Sequence, residues 1–307
     1  MKYWKYLVCA VLLIAAISLP KFLGVYPLQM ANIILIYMAL ALSWDMLLRT
    51  GQLSFGIAGF FGLGGYATML TSTYFGFNPL LSLIASAVVA GLVAALVGYS
   101  VLKLRALYFA IVTLALGEIF RVVAQNLEIT GGTEGMLLKQ TMFKGDPAGT
   151  YWVMLAIGVL TIIISIIFQK TRIHYASTSI RNDEIVAASS GINIFKYLVI
   201  IFAITSAIQG LVGGAYVQLY GFVEPTATTF SLNFVLMPIT MALLGGLYTT
   251  WGPVIGAVLL SVIAESLKLR IPYGHLLVYG IIMVVGILWF PGGIMGFIKK
   301  TFKISNQ

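Results

Sequence analysis

The chain has 307 residues, of which 60% are hydrophobic and 9% are charged, and its mean hydropathy is +1.02. Because soluble domains carry about 25% charged residues, this composition excludes an ordinary soluble fold and indicates a protein that crosses a membrane several times. The net charge of +9 does not indicate nucleic-acid binding, since the basic residues lie where hydrophobic stretches end.

The N-terminal stretch has the shape of a secretory signal, with Lys2 and Lys5 ahead of an apolar run over residues 7–19. We interpret it as an uncleaved first span, because the rest of the chain is equally apolar and an inner N-terminus makes the later charge pattern consistent. The single cysteine, Cys9, excludes an internal disulfide.

The hydrophobic pattern predicts an all-α, polytopic transmembrane bundle of about ten spans, which forms a single domain over residues 1–307. No charged residue lies between Thr50 and Leu102, a stretch long enough for two spans. The predicted spans cover residues 3–20, 28–48, 53–75, 80–102, 106–127, 150–169, 197–220, 229–247, 252–268 and 273–298.

The positive-inside rule sets the predicted orientation of these spans. With the N-terminus inside, twelve lysines and arginines fall on the inner side and five on the outer side. The opposite orientation inverts that ratio, so both termini are predicted to be cytoplasmic.

Two places interrupt the regular span pattern. Residues 51–65 contain six glycines, and the predicted spans over residues 229–247 and 252–268 are joined by only four residues. Both are candidates for broken or re-entrant helices, and irregular backbone at membrane depth is tolerated where it is buried in protein or lines a cavity. Tight helix packing is the alternative, and it is the favoured one for the glycine run.

Glu118 and Arg121 lie three residues apart within a predicted span, so they share one helix face. We expect them to form a neutralising pair that faces the protein interior, with either a structural role or a role in a transport path. Two other pairs near span ends are predicted to snorkel to the membrane surface: Asp45 with Arg49, and Glu265 with Lys268.

The outer loop over residues 128–150 contains the run TGGTEG, which includes Thr130, Gly131 and Gly132. The run is not a phosphate-binding loop, because the Walker pattern requires Gly-Lys and the chain has no such dipeptide. It predicts a tight turn, which either meets an external partner or is a plain loop.

The inner loop over residues 170–196 concentrates charge in a chain that is otherwise nearly free of it. Acidic residues followed by small residues and a glycine predict a short cytoplasmic helix over residues 181–191. We interpret this helix as a docking element, with a surface helix lying on the bilayer as the alternative. The small side chains of Ala187 and Ala188 form the face that is expected to fit a groove on the partner. The charged residues that are expected to guide this contact are Arg181, Asp183 and Glu184.

The sequence offers no convincing catalytic or metal-binding set. His174 and His275 lie about a hundred residues apart, without acidic or sulfur ligands at metal-binding spacing. We therefore expect a chain that performs no bond chemistry alone and holds no cofactor.

Eight motifs over about residues 28–298 resemble those of the high-affinity branched-chain amino-acid ABC importer permeases of the LivM type. Each motif is weak alone, and they are specific only jointly. In chain order they are residues 51–56 (GQLSFG), 60–66 (FFGLGGY), 107–121 (LYFAIVTLALGEIFR), 130–132 (TGG), 184–191 (EIVAASSG), 245–247 (GGL), 252–253 (GP) and 290–294 (FPGGI). The chain departs from the family at Ile57, where histidine is frequent, and at Gly293, where arginine or lysine is frequent.

The resemblance implies a permease subunit in the inner (plasma) membrane of a prokaryote. It implies as partners a second related permease, two cytoplasmic ATPase subunits that bind ATP and Mg, and an external solute-binding protein, all in a lipid bilayer. The family's coupling loop corresponds to residues 181–191 here, including Gly191. Related permeases carry urea, short amides or other amino acids, so the solute stays open.

We predict that the transport path lies among the glycine-rich segments. The predicted path residues are Ser54, Phe55, Gly56, Gly62, Thr113, Glu118, Arg121, Gly245 and Gly246. Two other functions stay open: a stand-alone secondary transporter or channel, in which Glu118 couples transport to an ion or proton, and a membrane scaffold without a path.

Overall fold

The computed structural model describes residues 15–104, 106–139, 141–143, 145–226, 229–271, 275–289 and 292–301. Most of the predicted first span and both chain termini lie outside these residues. After a helical segment over residues 15–22, the structure consists almost entirely of helices. They are α1 Val25–Leu48, α2 Ile57–Tyr74, α3 Pro79–Val101, α4 Ala106–Asn126, α5 Pro147–Lys170, α6 Arg172–Asn182, α7 Glu184–Ser189, α8 Ile194–Tyr220, α9 Asn233–Gly245, α10 Trp251–Arg270, α11 His275–Trp289 and α12 Gly293–Thr301.

The predicted all-α class is confirmed, with one small addition. A two-stranded antiparallel sheet pairs β1 Met136–Leu137 with β2 Phe222–Val223. It joins the outer loop to the end of α8.

Side-chain caps fix several helix starts. Asp146 accepts hydrogen bonds from the amides of Ala148 and Gly149 just before Pro147, and Asn78 caps α3 just before Pro79. A capping side chain followed by proline is a strong start signal, because proline lacks the amide hydrogen that the first turn leaves unpaired.

Among the described residues, six helices are long and apolar enough to cross a membrane: α1, α3, α4 (Leu107–Asn126), α5, α8 and α10. The two predicted interruptions are present. Residues 51–56 are not helical, so α2 begins only at Ile57. Helix α9 has 13 residues, about 20 Å, which is shorter than a hydrocarbon core of about 30 Å.

Helix α8 packs against α2 and α3 at the centre of the bundle. A side-chain carbon at Gly64 would collide with the backbone of Gly210, so the tight-packing interpretation holds at this glycine of the run. The outer face of α3 exposes large apolar side chains at every turn, as a lipid-facing helix does: Leu80, Ile84, Val88, Leu92 and Leu96.

The two ends of the bundle agree with the predicted alternation of spans. At one end, the turn between α9 and α10 contacts the 170–196 loop, since the guanidinium of Arg181 lies over the ring of Tyr248. At the other end, the Tyr74 hydroxyl donates to the carbonyl of Ile129 in the 128–150 loop. We refer to these as the inner and outer ends.

Candidate functional site

The non-helical segment over residues 51–56 is held by side chains rather than by regular secondary structure. The Trp44 indole donates to the carbonyl of Ser54 at 2.8 Å, and the amide of Phe55 donates to the Thr113 hydroxyl at 3.0 Å. The Ser54 hydroxyl accepts from the amide of Gly56 at 3.1 Å. Polar backbone without water must find such partners, so α1 and α4 together stabilise an unwound stretch inside the bundle.

A cavity of about 410 Å³ lies between α2, α4 and the start of α9, and we call it the α2–α4 cleft. Its walls include Phe55 and Gly59 on one side, Glu118 on α4, and Phe230 with Val235 opposite. The structure therefore brings predicted path residues to one place: Ser54, Phe55, Gly56 and Thr113 at the unwound segment, and Glu118 at the cleft.

The expectation that Glu118 and Arg121 face the protein interior is wrong for this chain by itself. The two side chains form an ion pair, yet 58% of the Glu118 side-chain surface and 26% of that of Arg121 are exposed. Helix α4 contacts the bundle only along a narrow strip, and its other faces have no neighbour within the described residues.

The remaining predicted path glycines lie elsewhere. Gly62 faces the ring of Phe230, which would collide with any side chain added there. Gly245 and Gly246 lie at the inner end of α9, where Gly245 packs against the backbone of Gly252. The predicted path residues thus form two groups, one at the α2–α4 cleft and one at the inner end.

The prediction of a snorkelling pair at Asp45 and Arg49 is wrong. Both side chains are buried, with exposures of 0% and 1%. Arg49 donates to one carboxylate oxygen of Asp45, and the amide of Tyr248 donates to the other at 2.6 Å. The Gln169 amide oxygen, when oriented toward its donors, accepts from Arg49 at 2.8 Å and also from Thr250. We call these five residues the inner network.

Tyr248 links the inner network to the 170–196 loop. Its backbone φ of +62° lies in the left-handed region that non-glycine residues avoid, and Asp45 holds its amide there. The guanidinium of Arg181 lies 4.1 Å from the centre of its ring, a cation–π contact. One arginine of the predicted docking element therefore contacts the turn between α9 and α10.

The predicted docking helix is present, but it is divided in two. Asp183 interrupts the chain between α6 and α7 and caps α7 by accepting from the amides of Ile185 and Val186. Glu184 opens α7, and Gly191, at φ +81°, follows its end.

The surface of α7 also differs from the predicted one. Ala187 is buried in the chain's own core, whereas Ala188 is exposed. The exposed apolar surface belongs to Ile185 and Val186, which are 80% and 61% exposed. The small face predicted from the sequence, Ala187 and Ala188, did not include this pair, although two large apolar residues directly after a capping Asp in a polar loop indicate an exposed apolar patch.

A surface cavity of about 370 Å³ connects α6 and α7 to the unwound segment. It is lined by Thr50, Gly51 and Gln52 on one side and by residues 180–185 on the other. The docking element and the unwound segment are therefore neighbours at the inner end.

His174 on α6 lies beside the inner network. Burial lowers the pKa of its imidazole, and the nearby guanidinium groups of Arg49 and Arg181 lower it further. The imidazole is therefore neutral at physiological pH.

The outer turn has the predicted tight form. Thr130 is buried and donates to the carbonyls of Ala124 and Leu127, while Gly131 and Gly132 adopt positive φ. These contacts anchor the turn to the end of α4.

No group of three or more potential metal ligands is found within the described residues. The described side chains thus identify no candidate metal centre.

Comparisons with known proteins agree with this architecture. Residues 26–287 match the family model of the permease component of the branched-chain amino acid transport system. Two similar proteins are named "High-affinity branched-chain amino acid transport system permease protein LivM", from Escherichia coli K12 and Salmonella typhimurium LT2. Each is 27% identical to this chain over 325 aligned positions, which cover 96% of this chain and 76% of the relative. No solved structure matches the chain.

Proposed function

The chain belongs to the family of permease components of the branched-chain amino acid transport system, and from this premise we propose that it is the membrane-spanning subunit of an ATP-driven ABC importer. The proposed solutes are branched-chain amino acids, or a related small polar solute such as another amino acid, urea or a short amide. The names of the two LivM relatives support the first choice.

The proposed assembly contains this permease, a second related permease, two cytoplasmic ATPase subunits that bind ATP and Mg, and an external solute-binding protein. We place it in the inner membrane of a prokaryote, with about ten spans in one domain and both termini inside. The charge asymmetry of the loops and the observed alternation of inner and outer ends support this topology.

The observation that carries the proposal is the arrangement of the docking element, residues 181–191, which contains the end of α6, helix α7 and Gly191. The face of this element that points away from the bundle exposes Ile185 and Val186, and the charges of Asp183 and Glu184 flank them. A small apolar patch with polar surroundings is typical of a transient protein interface. We propose that the ATPase subunit binds this patch.

The face of the docking element that points toward the bundle contacts the permease core through Arg181. A displacement of α6 and α7 by the ATPases moves Arg181 against Tyr248, and Tyr248 is bonded to Asp45 of α1. The turn between α9 and α10, with Gly245 and Gly246, is therefore the first element of the core to receive the motion. Such a two-sided contact is what coupling between ATP hydrolysis and transport requires.

The proposed path runs along the α2–α4 cleft, past the unwound segment to the inner turn. An exposed ion pair such as Glu118–Arg121 is unfavourable against lipid, because a charge at mid-membrane costs about 2.5–3.5 kcal/mol on insertion scales. We infer that the second permease covers this face of α4 and that the path lies between the two subunits.

The coupling proposal is tested by Ile185→Arg in the complete transporter, reconstituted in liposomes. We expect ATP-dependent leucine uptake to fall at least about tenfold, because a charge placed in the apolar patch costs binding energy. The matched control is Ile185→Leu, which keeps the patch apolar and should leave uptake unchanged. Normal uptake and normal co-purification of the ATPase with Ile185→Arg would remove the proposal.

A stand-alone ion-coupled transporter is the second candidate, since Glu118 is an exposed carboxylate beside a cavity. That function predicts uptake that survives removal of the ATPases and stops with a proton uncoupler or in Glu118→Gln. The importer predicts that uptake stops when the ATPases are removed.

A further inference from the structure

A small apolar cluster lies directly outward of the α2–α4 cleft, and we call it the outer cluster. Helices α2 and α4 both run toward the outer end, and each contributes to the cluster beyond the last residue with which it lines the cleft. The cluster therefore lies between the cleft and the outer end of the bundle. Its buried members are Tyr66, Met69, Ala124, Val217, Val223 and Phe230.

Phe230 belongs to both the cleft wall and the outer cluster. The residue is only 9% exposed, and its ring stacks on that of Tyr66, with the centroids 5.9 Å apart and the planes inclined by 23°. The ring also lies so close to Gly62 that no side chain fits between them. It thus fills the boundary at which the cleft ends and the outer cluster begins.

Phe230 lies in a segment that can rotate without unwinding a helix. Residues 229–232 are not helical, and α9 begins only at Asn233. Stacking and van der Waals contact hold the ring against Tyr66 and Gly62, and such contacts are individually weaker than the charge-assisted hydrogen bonds of the inner network. Since hinges are usually loop or terminal residues that absorb a backbone rotation, residues 229–232 are suited to move the ring.

The outer loop reaches the same cluster. Met136 of β1 pairs with Val223 of β2, and the amide of Leu138 donates to the carbonyl of Gly221 at 2.8 Å. Both Met136 and Leu138 pack against the outer cluster. A displacement of the outer loop therefore changes the packing around Phe230.

We propose that the Phe230 ring is the outer gate of the transport path. In the described conformation the ring separates the cleft from the outer end, and the path opens when residues 229–232 rotate the ring away from Gly62. The outer loop, through its packing against the outer cluster, controls the position of the ring. This inference rests on the proposed path along the α2–α4 cleft, and it adds a gate at the end opposite to the coupling contact.

The test measures access to the cleft from outside in the complete transporter, because a phenylalanine that only packs would affect stability alone. Ala115→Cys places a cysteine in the cleft, in a Cys9→Ser chain that lacks the single native cysteine. Its reaction with a membrane-impermeant maleimide is followed in ATP-depleted spheroplasts. We expect slow labelling with Phe230 present and labelling at least about tenfold faster in Phe230→Ala, since the rate follows the fraction of molecules whose cleft is open.

Two further variants keep the test independent of damage to the fold, and all rates are compared at equal amounts of assembled transporter. Phe230→Leu keeps the outer cluster apolar and should accelerate labelling less than Phe230→Ala, because leucine fills part of the volume of the ring. Gly62→Ala displaces the ring and should accelerate labelling while Phe230 is present, but should add nothing in Phe230→Ala. The matched control is Phe77→Ala, an aromatic residue at the outer end outside the cluster, which leaves the rate unchanged.

ATP-dependent leucine uptake separates the gate from the proposed function. Uptake by wild type, together with labelling rates that do not depend on residue 230, would overturn the gate while the importer function stands. Faster labelling in Phe230→Ala, in a transporter whose wild type takes up nothing with ATP, would support the gate and overturn the importer. Absence of labelling in every variant would also overturn the gate.

Discussion

The Asp45–Arg49 pair and the Glu118–Arg121 pair each join an acid and an arginine one helical turn apart, but they occupy opposite environments. The first is fully buried, and the backbone amide of Tyr248 and the side chain of Gln169 complete its hydrogen bonding. The second bonds only within α4, and its Glu118 side chain is largely exposed while that of Arg121 is partly exposed. A spacing of three or four residues therefore does not determine the role of an ion pair in a membrane.

The buried pair is therefore a structural element of the chain, whereas the exposed pair lies on a surface that lacks neighbours for it. A buried pair stabilises a structure only when its polar atoms find partners, and each nitrogen of the Arg49 guanidinium and each carboxylate oxygen of Asp45 has one, drawn from three separate parts of the chain. The Glu118–Arg121 pair has no such neighbours among the described residues. The hydrogen bonding of this pair is complete only if another subunit or water surrounds α4.

The largest expected effect comes from Asp45→Asn. The substitution keeps an acceptor for the amide of Tyr248 but leaves Arg49 as an unpaired buried charge, which costs about 3–5 kcal/mol. Thermal unfolding of the purified chain in detergent measures the loss. Similar unfolding temperatures for Asp45→Asn and for Glu118→Gln would break the contrast between the two pairs.

An intermediate effect is expected where α4 meets α2. A side-chain carbon at Gly59 would lie 2.7 Å from the Cα of Gly117, whereas one at Gly117 would lie 3.5 Å from the Cα of Gly59. Gly59→Ala should therefore separate the helices and destabilise the chain by about 1–3 kcal/mol, and Gly117→Ala should be tolerated. Equal unfolding temperatures for the two variants would show that α4 is held less tightly than the contact implies.

The sequence predicted most of the helices because hydrophobic runs, prolines and capping residues are local signals. The starts of α3 and α5, at Asn78-Pro79 and Asp146-Pro147, are of this kind. The interruptions at residues 51–56 and at the turn after α9 were also predicted, since glycines and a very short connection mark them directly.

The surroundings of the ion pairs were not predictable in the same way. Asp45 receives its second hydrogen bond from Tyr248, 203 residues later in the chain, and no local pattern announces that contact. Likewise, the sequence places Ala187 and Ile185 on one short helix without showing which of them faces the core. Burial is decided by tertiary neighbours, so the candidate site was predicted in its segments and not in its contacts.

A smaller effect is expected for Glu118→Gln in the chain alone. An exposed ion pair contributes less than about 1 kcal/mol, so the unfolding temperature of the isolated permease should hardly change. If the proposed second permease covers the pair, the same substitution should lower the unfolding temperature more in the complete transporter. An equally small shift in both preparations would show that no subunit covers this face of α4.

The smallest effect concerns pH and is confined to the inner end. Burial, together with Arg49 of α1 and Arg181 of α6, lowers the pKa of His174 in the folded chain, while the unfolded chain has the ordinary value of about 6.5. Stability from this group is complete above that value and is lost as the pH falls below it, because the unfolded chain takes up a proton that the folded chain excludes. We expect the hydrogen-exchange protection factors of residues 172–191 to fall on acidification in wild type, to fall less in His174→Gln, and to stay constant in α4. A parallel fall of the protection factors in α4 would mean that acid acts on the whole bundle and that the inner network is no more sensitive than the exposed helix.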